Sequence, residues 1–422
     1  MNNNHLTAGK SEMIELYPRW QKATIKQLML ERRVLLLSGP RQCGKTTLAR
    51  ELESNETEYR TLDDGTLREA ASNDPQGFIK RSAKTLIVDE VQRIPSLLSA
   101  IKKAVDEDTR PGQYLLTGST NIQSLPTVKE SLAGRIAKIR LRPLAQGEIE
   151  RTTSRFIDSA FTQSFSRSHA HHDRDALLEI AFRGGFPEPM LLQDRGRKRW
   201  HTDYVNAILE RDLKEITRIH RKNAMRELVH TLAAWSGKFM DLSAIGSGLS
   251  IRRPTIESYI NALETLYLVE RVYPWTKTDY ARVGKQSRLF LVDSGLMASL
   301  LSWKMDQVRL DSDRSGKLIE TFAFNEIMAQ VDAGDGRYEL FHYRDREKRE
   351  IDFLIEREDN ALLGIEIKAG SAIEKKDFNH MRWFQKNLTK SRTFIGIILY
   401  TGEFPASFGN NLWAVPFGLL WS

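Results

Sequence analysis

Apolar residues recur at helical spacing over 17–32 and lead into Val34, Leu35, Leu36 and Leu37, a run that suits a strand buried on both faces. Two similar runs, 85–88 and 113–116, are separated by helical and polar stretches, so residues 1–150 predict an α/β domain built on a parallel sheet. Residues 151–175 are rich in Ser, Thr, Arg and His without periodicity and read as a linker, its His169, His171 and His172 lacking acidic partners at a ligating spacing. Helical patterns return near Asp175 and over 200–217, around the turn Gly184, Gly185, Phe186, Pro187. From Arg226 the order is helix, short helix at 242–245, a Gly-Ser break, a helix from Pro254 to about Leu266 and a β-rich segment to Trp275, which is winged helix-turn-helix order. Strands are expected again at 350–355, 362–367 and 394–400. The expected organisation is a sheet domain at 1–150, a helical connector at 151–225, a winged helix-turn-helix at 226–290 and a mixed α/β domain at 291–422.

Composition narrows the classes. A chain of 422 residues exceeds what one core usually spans, ~250–300 residues, which agrees with several domains. Hydrophobic residues at 41% and charged residues at 28% fit a globular chain, and no apolar run approaches the ~18 residues of a membrane span. The first residues carry no apolar stretch after a basic start, so a cytoplasmic location and no membrane partner are expected. A single cysteine, Cys43, excludes an intramolecular disulfide and a cysteine-based zinc site. The net charge of +8 resolves into a basic excess mainly over 151–290, densest at 195–226, where a polyanion contact is expected.

The chemistry begins at Gly39, Pro40, Arg41, Gln42, Cys43, Gly44, Lys45 and Thr46, which fit G-x-x-x-x-G-K-[ST] between a buried strand and a helix. Such a loop, with Thr47 in the helix it opens, turns backbone N–H groups toward phosphate; Lys45 neutralises β/γ charge and Thr46 ligates Mg2+. The strand at 85–88 ends in Asp89 and Glu90 at the same sheet edge. Asp89 is expected in the Mg2+ shell, and Glu90 as the general base that activates water. Thr117 and Ser119, ahead of Asn121, suit a γ-phosphate sensor, and Arg135 an arginine finger acting on a neighbouring copy, hence a homo-oligomer.

These segments, GPRQCGKTT, LIVDEVQ, LLTGS and SLAGR, resemble bacterial and archaeal AAA-type ATPases that carry a C-terminal domain of unknown function. Gly184 to Glu188 and residues 204–213 resemble that family's linking segment. The resemblance implies an AAA+ P-loop ATPase rather than a small-molecule kinase, with ATP and Mg2+ as cofactors, and supplies no substrate.

Arg252 and Arg253 open the expected recognition helix, followed by Tyr259 and Asn261, a set suited to DNA contact. In the last domain Asp352 sits on one strand, and Glu366 and Lys368 share one face of the next because strand side chains alternate. Two carboxylates and a lysine are the equipment for metal-assisted phosphodiester hydrolysis, with Asp352, Glu366 and Lys368 as catalytic groups. The pattern resembles the restriction-endonuclease-like PD-(D/E)xK nucleases, and Glu320 stands where that superfamily often has a further metal-site acid. The expectation is an ATP-hydrolysing AAA+ protein acting on or with DNA, with a Mg2+-dependent nuclease end. Its alternative is a regulatory ATPase switch whose winged helix and nuclease-like domain are protein-docking scaffolds.

Overall fold

The computed structural model describes residues 16–119, 134–153, 155–165, 172–212, 222–249, 251–276, 286–334 and 336–422. The first sheet has five strands, β1 (Val34–Ser38), β2 (Thr57–Thr61), β3 (Thr85–Asp89), β4 (Tyr114–Gly118) and β5 (Ile136–Arg140), in the order β2-β3-β4-β1-β5. All its pairings are parallel. The three central strands are buried at every position, which explains why they read as unbroken apolar runs. One face packs on the amphipathic helix Ser96–Glu107 through Leu97, Ile101 and Val105, and the other on Ile25 and Leu28 of the helix Gln21–Leu28. Insertion of β4 between β1 and β3 leaves a crevice at their carboxyl ends, the usual ligand position in an open parallel sheet.

The second sheet has eight strands: β6 (Val269–Pro274), β7 (Arg288–Leu291), β8 (Tyr338–Arg344), β9 (Glu350–Arg357), β10 (Leu362–Ile367), β11 (Phe394–Tyr400), β12 (Ala406–Ser407) and β13 (Leu412–Pro416). Their order is β12-β13-β11-β10-β9-β8-β6-β7. The expected strands at 350–355, 362–367 and 394–400 are β9, β10 and β11. The helices Lys222–Trp235, Leu242–Ser247 and Arg253–Thr265 precede the antiparallel pair β6–β7, in the order read from the sequence.

The boundaries expected at 225 and 290 do not separate cores. Tyr273 and Pro274 of β6 pair in parallel with Phe341 and His342 of β8, which splices the hairpin into the C-terminal sheet. One hydrophobic cluster accordingly runs from Phe156 to Trp421. The long helix Ser312–Ala333, capped by Asp311, contributes Leu318, Ile319, Phe322 and Phe324 to it.

Candidate functional site

The phosphate loop leaves β1 and turns into the helix Lys45–Arg50. Gly39 passes so close to β5's exit that a Cβ there would stand 2.0 Å from the Leu141 carbonyl oxygen, and Gly44 holds φ +100°, so both positions require glycine. The Lys45 ammonium, 4% exposed, donates to the carbonyl oxygens of Gly39 (3.1 Å) and Pro40 (2.7 Å), which holds it over the loop's mouth. Cys43 is buried under the loop, its Sγ 3.5 Å from the Leu141 oxygen.

Asp89 ends β3 with its carboxylate almost fully buried. Three hydroxyls converge on it: Thr46 at 3.0 and 3.2 Å, Tyr59 at 2.9 Å, and Thr117. Burial, then the neighbouring Asp89, pushes the Tyr59 phenol up to about 12, so this hydroxyl remains a donor. Glu90 takes a left-handed conformation (φ 59°), unusual for a glutamate, while its N–H donates to Thr117 Oγ1 at 3.0 Å. That turn brings Glu90 into the lining of the cleft. Gln92 Nε2 bridges the Glu90 carboxylate to Ser119 Oγ, 3.0 Å away, so base and sensor expectations converge on one hydrogen-bonded group. Thr46 and Asp89 fit a Mg2+ ion as oxygen ligands, and Arg41, Gln42, Gly44 and Thr47 line the same cleft.

The cleft holds about 970 Å³ and lies between the loop and the connector. Its far wall is formed by Pro187, Glu188, Trp200, Tyr204 and Arg211, of which Trp200 and Tyr204 stack with centroids 5.1 Å apart. The basic segment read as a polyanion contact therefore contributes Arg211 to the nucleotide cleft. Arg19, missed in the sequence, buttresses the loop from below: it donates to the carbonyls of Cys43 (2.8 Å) and Arg142 (2.6 Å) and pairs with Glu148 (3.1 Å). No local motif marks it, because its partners lie more than 20 residues away. Arg135 pairs with Asp106 on its own chain and does not line the cleft. Asn121, Ser131, His169, His171 and Ser250 lie outside the described residues.

In the middle segment Arg252 and Arg253 are exposed, whereas Tyr259 is buried in the core and Asn261 accepts from Arg271 at 2.8 Å. Tyr259 is thus a packing residue, and Asn261 is already engaged.

The C-terminal constellation is centred on an arginine. Arg288 of β7, 4% exposed, pairs with Glu320, with Asp352 at 3.4 Å and with Glu350 at 3.9 Å. Asp352 Oδ2 accepts from the Ile367 N–H at 3.0 Å, and Lys368 reaches Asp377 at 2.5 Å instead of the acids. Burial first, then Asp352 and Glu350, pushes the Glu366 carboxyl up to about 8; burial pushes Glu320 up to about 7 against the pull of Arg288. Among the described residues no group of three or more His, Cys, Asp and Glu side chains is arranged to hold a metal ion. The metal expected at Glu320, Asp352 and Glu366 does not fit this geometry, because the Arg288 guanidinium takes an oxygen of Glu320 and one of Asp352, although Glu366 Oε1 is left without a hydrogen-bond partner.

A second buried network joins the two sheets. Arg142 pairs with Glu270 of β6 (2.8 Å) and Asp332 of the long helix (2.5 Å), and Arg140 with Glu270 (2.8 Å). Burial opposes the charge on Glu270, but Arg140 and Arg142 outweigh it and hold its pKa at about 2.

The loop, the paired acids at the β3 end and the interposed β4 form a P-loop nucleotide-binding fold. Residues 31–150 match the family described as AAA domain, and residues 174–307 and 315–420 match two domains of unknown function, DUF8612 and DUF4143. The chain is 26% identical over 402 residues to an uncharacterized protein of Mycobacterium tuberculosis, covering 93% of this chain and 82% of that one. Among solved structures it is similar to the Walker-type ATPase of Pyrococcus abyssi, with 16% identity, 70% and 99% of the two chains covered and a TM-score of 0.44. AMPPCP-bound DnaA from Aquifex aeolicus aligns at 13% identity over 58% of this chain and 85% of that one, with a TM-score of 0.28. No helix among the described residues is long and apolar enough to cross a membrane.

Proposed function

We propose that this chain is an ATP-hydrolysing AAA+ protein that works on or with DNA in the cytoplasm. The observation that carries the ATPase reading is the convergence of Thr46, Tyr59 and Thr117 on Asp89, with Glu90 turned into the cleft beside them. Thr46 and Asp89 would hold a Mg2+ ion, which would supply neutralisation of phosphate charge there. Lys45 exchanges its two carbonyl contacts for phosphate oxygens, and the loop N–H groups cradle the rest. Glu90 orients and deprotonates the attacking water, and Gln92 links its position to Ser119, so γ-phosphate contact and water activation are coupled. Arg135 is assigned as a finger that acts across a subunit boundary, with the ATPase working as a homo-oligomer.

The DNA reading is supported by the exposed Arg252 and Arg253 at the start of the helix Arg253–Thr265, ahead of the antiparallel β6–β7 pair, an order that we read as a winged helix. At the C-terminal end the buried Arg288 favours the alternative, a domain that docks rather than cuts. The test is ATP turnover with and without duplex DNA for wild type, Lys45→Ala and Arg252→Ala/Arg253→Ala. The reading expects turnover abolished in Lys45→Ala, and DNA stimulation in wild type that the double variant loses. Wild-type turnover that DNA leaves unchanged, with no DNA binding, contradicts the DNA half of the reading.

A further inference from the structure

Four carboxylates gather around β9: Glu320 on the long helix and Glu366 on β10 both lie within electrostatic reach of Glu350 and Asp352 on β9. Left alone in so buried a place they would repel one another, and a divalent metal is the usual remedy in a sheet that carries this acid-and-lysine pattern. Here a different cation is already built in. Arg288 extends from β7, donates through Nε (2.7 Å) and Nη2 to the Gly237 carbonyl, and directs Nη1 to Asp352 and Nη2 also to Glu320. Its guanidinium lies over the rings of Phe239 (5.6 Å) and Phe290 (5.3 Å).

We propose that Arg288 is the resident counter-ion of this cluster, standing where the acid-and-lysine pattern calls for a divalent metal, and that the C-terminal domain binds no catalytic metal. Three observations carry this. Three of the oxygens a metal would need are taken, one Glu320 oxygen and Asp352 Oδ1 by Arg288 and Asp352 Oδ2 by a backbone N–H, while Glu366 Oε1 is buried without a hydrogen-bond partner. The lysine that would polarise water is held by Asp377. Arg288 itself is almost fully buried, and its backbone, carboxylate and ring contacts all lie within the chain, so displacing it to admit a metal strands a buried cation.

The position of Arg288 also gives the cluster a structural task. Its strand β7 pairs with β6, whose Glu270 is gripped by Arg140 and Arg142 from the ATPase side. One hairpin therefore carries two buried ion networks, one to each sheet.

The test is Mn2+ binding to the nucleotide-free full-length chain, followed by the loss of the free-ion EPR signal. The proposal expects wild type and Glu366→Gln to give the same titration. It also expects Arg288→Met to gain about one Mn2+ per chain, which Arg288→Met/Glu366→Gln lacks. A wild-type Mn2+ site that disappears in Glu366→Gln or Asp352→Asn overturns it, and so does an Arg288→Met protein that melts cooperatively but gains no site. Where Arg288→Met does not fold, the comparison of wild type with Glu366→Gln decides the question by itself.

Discussion

Two strand ends in this chain carry carboxylates of similar type in opposite surroundings. At the carboxyl end of β3, Asp89 is met by neutral hydroxyl donors and Glu90 opens onto a cleft of about 970 Å³, with Lys45 restrained only by two loop carbonyls. At β9 and β10, Asp352 and its neighbours are met by a buried guanidinium and a backbone N–H, and Lys368 is bound elsewhere. Neutral donors orient a carboxylate without discharging it, so it keeps its charge for a cation that arrives with the substrate. A fixed arginine discharges it in advance. What separates a reactive acid from a structural one is therefore the sign and mobility of its nearest partner, more than the motif it belongs to.

The largest effect that sharpens this contrast is on stability. Arg288→Met leaves the partly buried Glu320 and Asp352 without a cation and is expected to cost ~3–5 kcal/mol in urea unfolding. Adding Glu320→Gln should recover part of that loss; equal losses in the single and double variants would break the comparison. At the other site Asp89→Asn is expected to lower ATP turnover by ~10²–10³-fold, read by phosphate release, with unfolding nearly unchanged. An Asp89→Asn protein as unstable as Arg288→Met would show that both acids are structural.

A smaller effect is set by pH at Glu326. This carboxyl is buried, accepts from the Gln146 N–H at 2.8 Å through one oxygen, and leaves the other without a partner. Burial pushes its pKa from 4.5 up to about 8 in the folded chain. The folded state therefore holds a proton that the unfolded state releases, so this stabilisation is complete below about pH 4.5 and is lost as pH rises through about 8. Glu326→Gln keeps the acceptor and removes the titration. It should stabilise the chain by ~1–3 kcal/mol at pH 8.5 and much less at pH 5, by urea unfolding at both pH values. An equal gain at both would contradict the assignment. The smallest expected effect is at Arg252 and Arg253: their double alanine variant should lower the salt dependence of DNA binding by about two ionic contacts, measured by anisotropy over a salt series.

The first site was legible because its chemistry is contiguous. Glycines, Lys45 and Thr46 sit in one loop, and Asp89 and Glu90 adjoin at one strand end, so strand–loop–helix order alone brings them together. Arg19 and the cleft wall at Trp200, Tyr204 and Arg211 were not legible, since only tertiary packing carries them to the loop. The second sheet was readable in part: β9, β10 and β11 coincide with three predicted strands and β6 with the β-rich segment, whereas β7, β8, β12 and β13 were not read from the sequence. Its site was not. The acids and Lys368 follow a recognisable spacing, but Arg288 lies on a strand assigned to a different domain. Only the pairing of β6 with β8 shows that this strand belongs to the same sheet.

The most direct test of the central claim, that only the β3 site takes a metal, is the number of Mn2+ ions bound per chain at saturating ATP. The account predicts one, lost in Asp89→Asn and retained in Glu366→Gln. Two ions per chain, or one whose binding depends on Glu366, would contradict it.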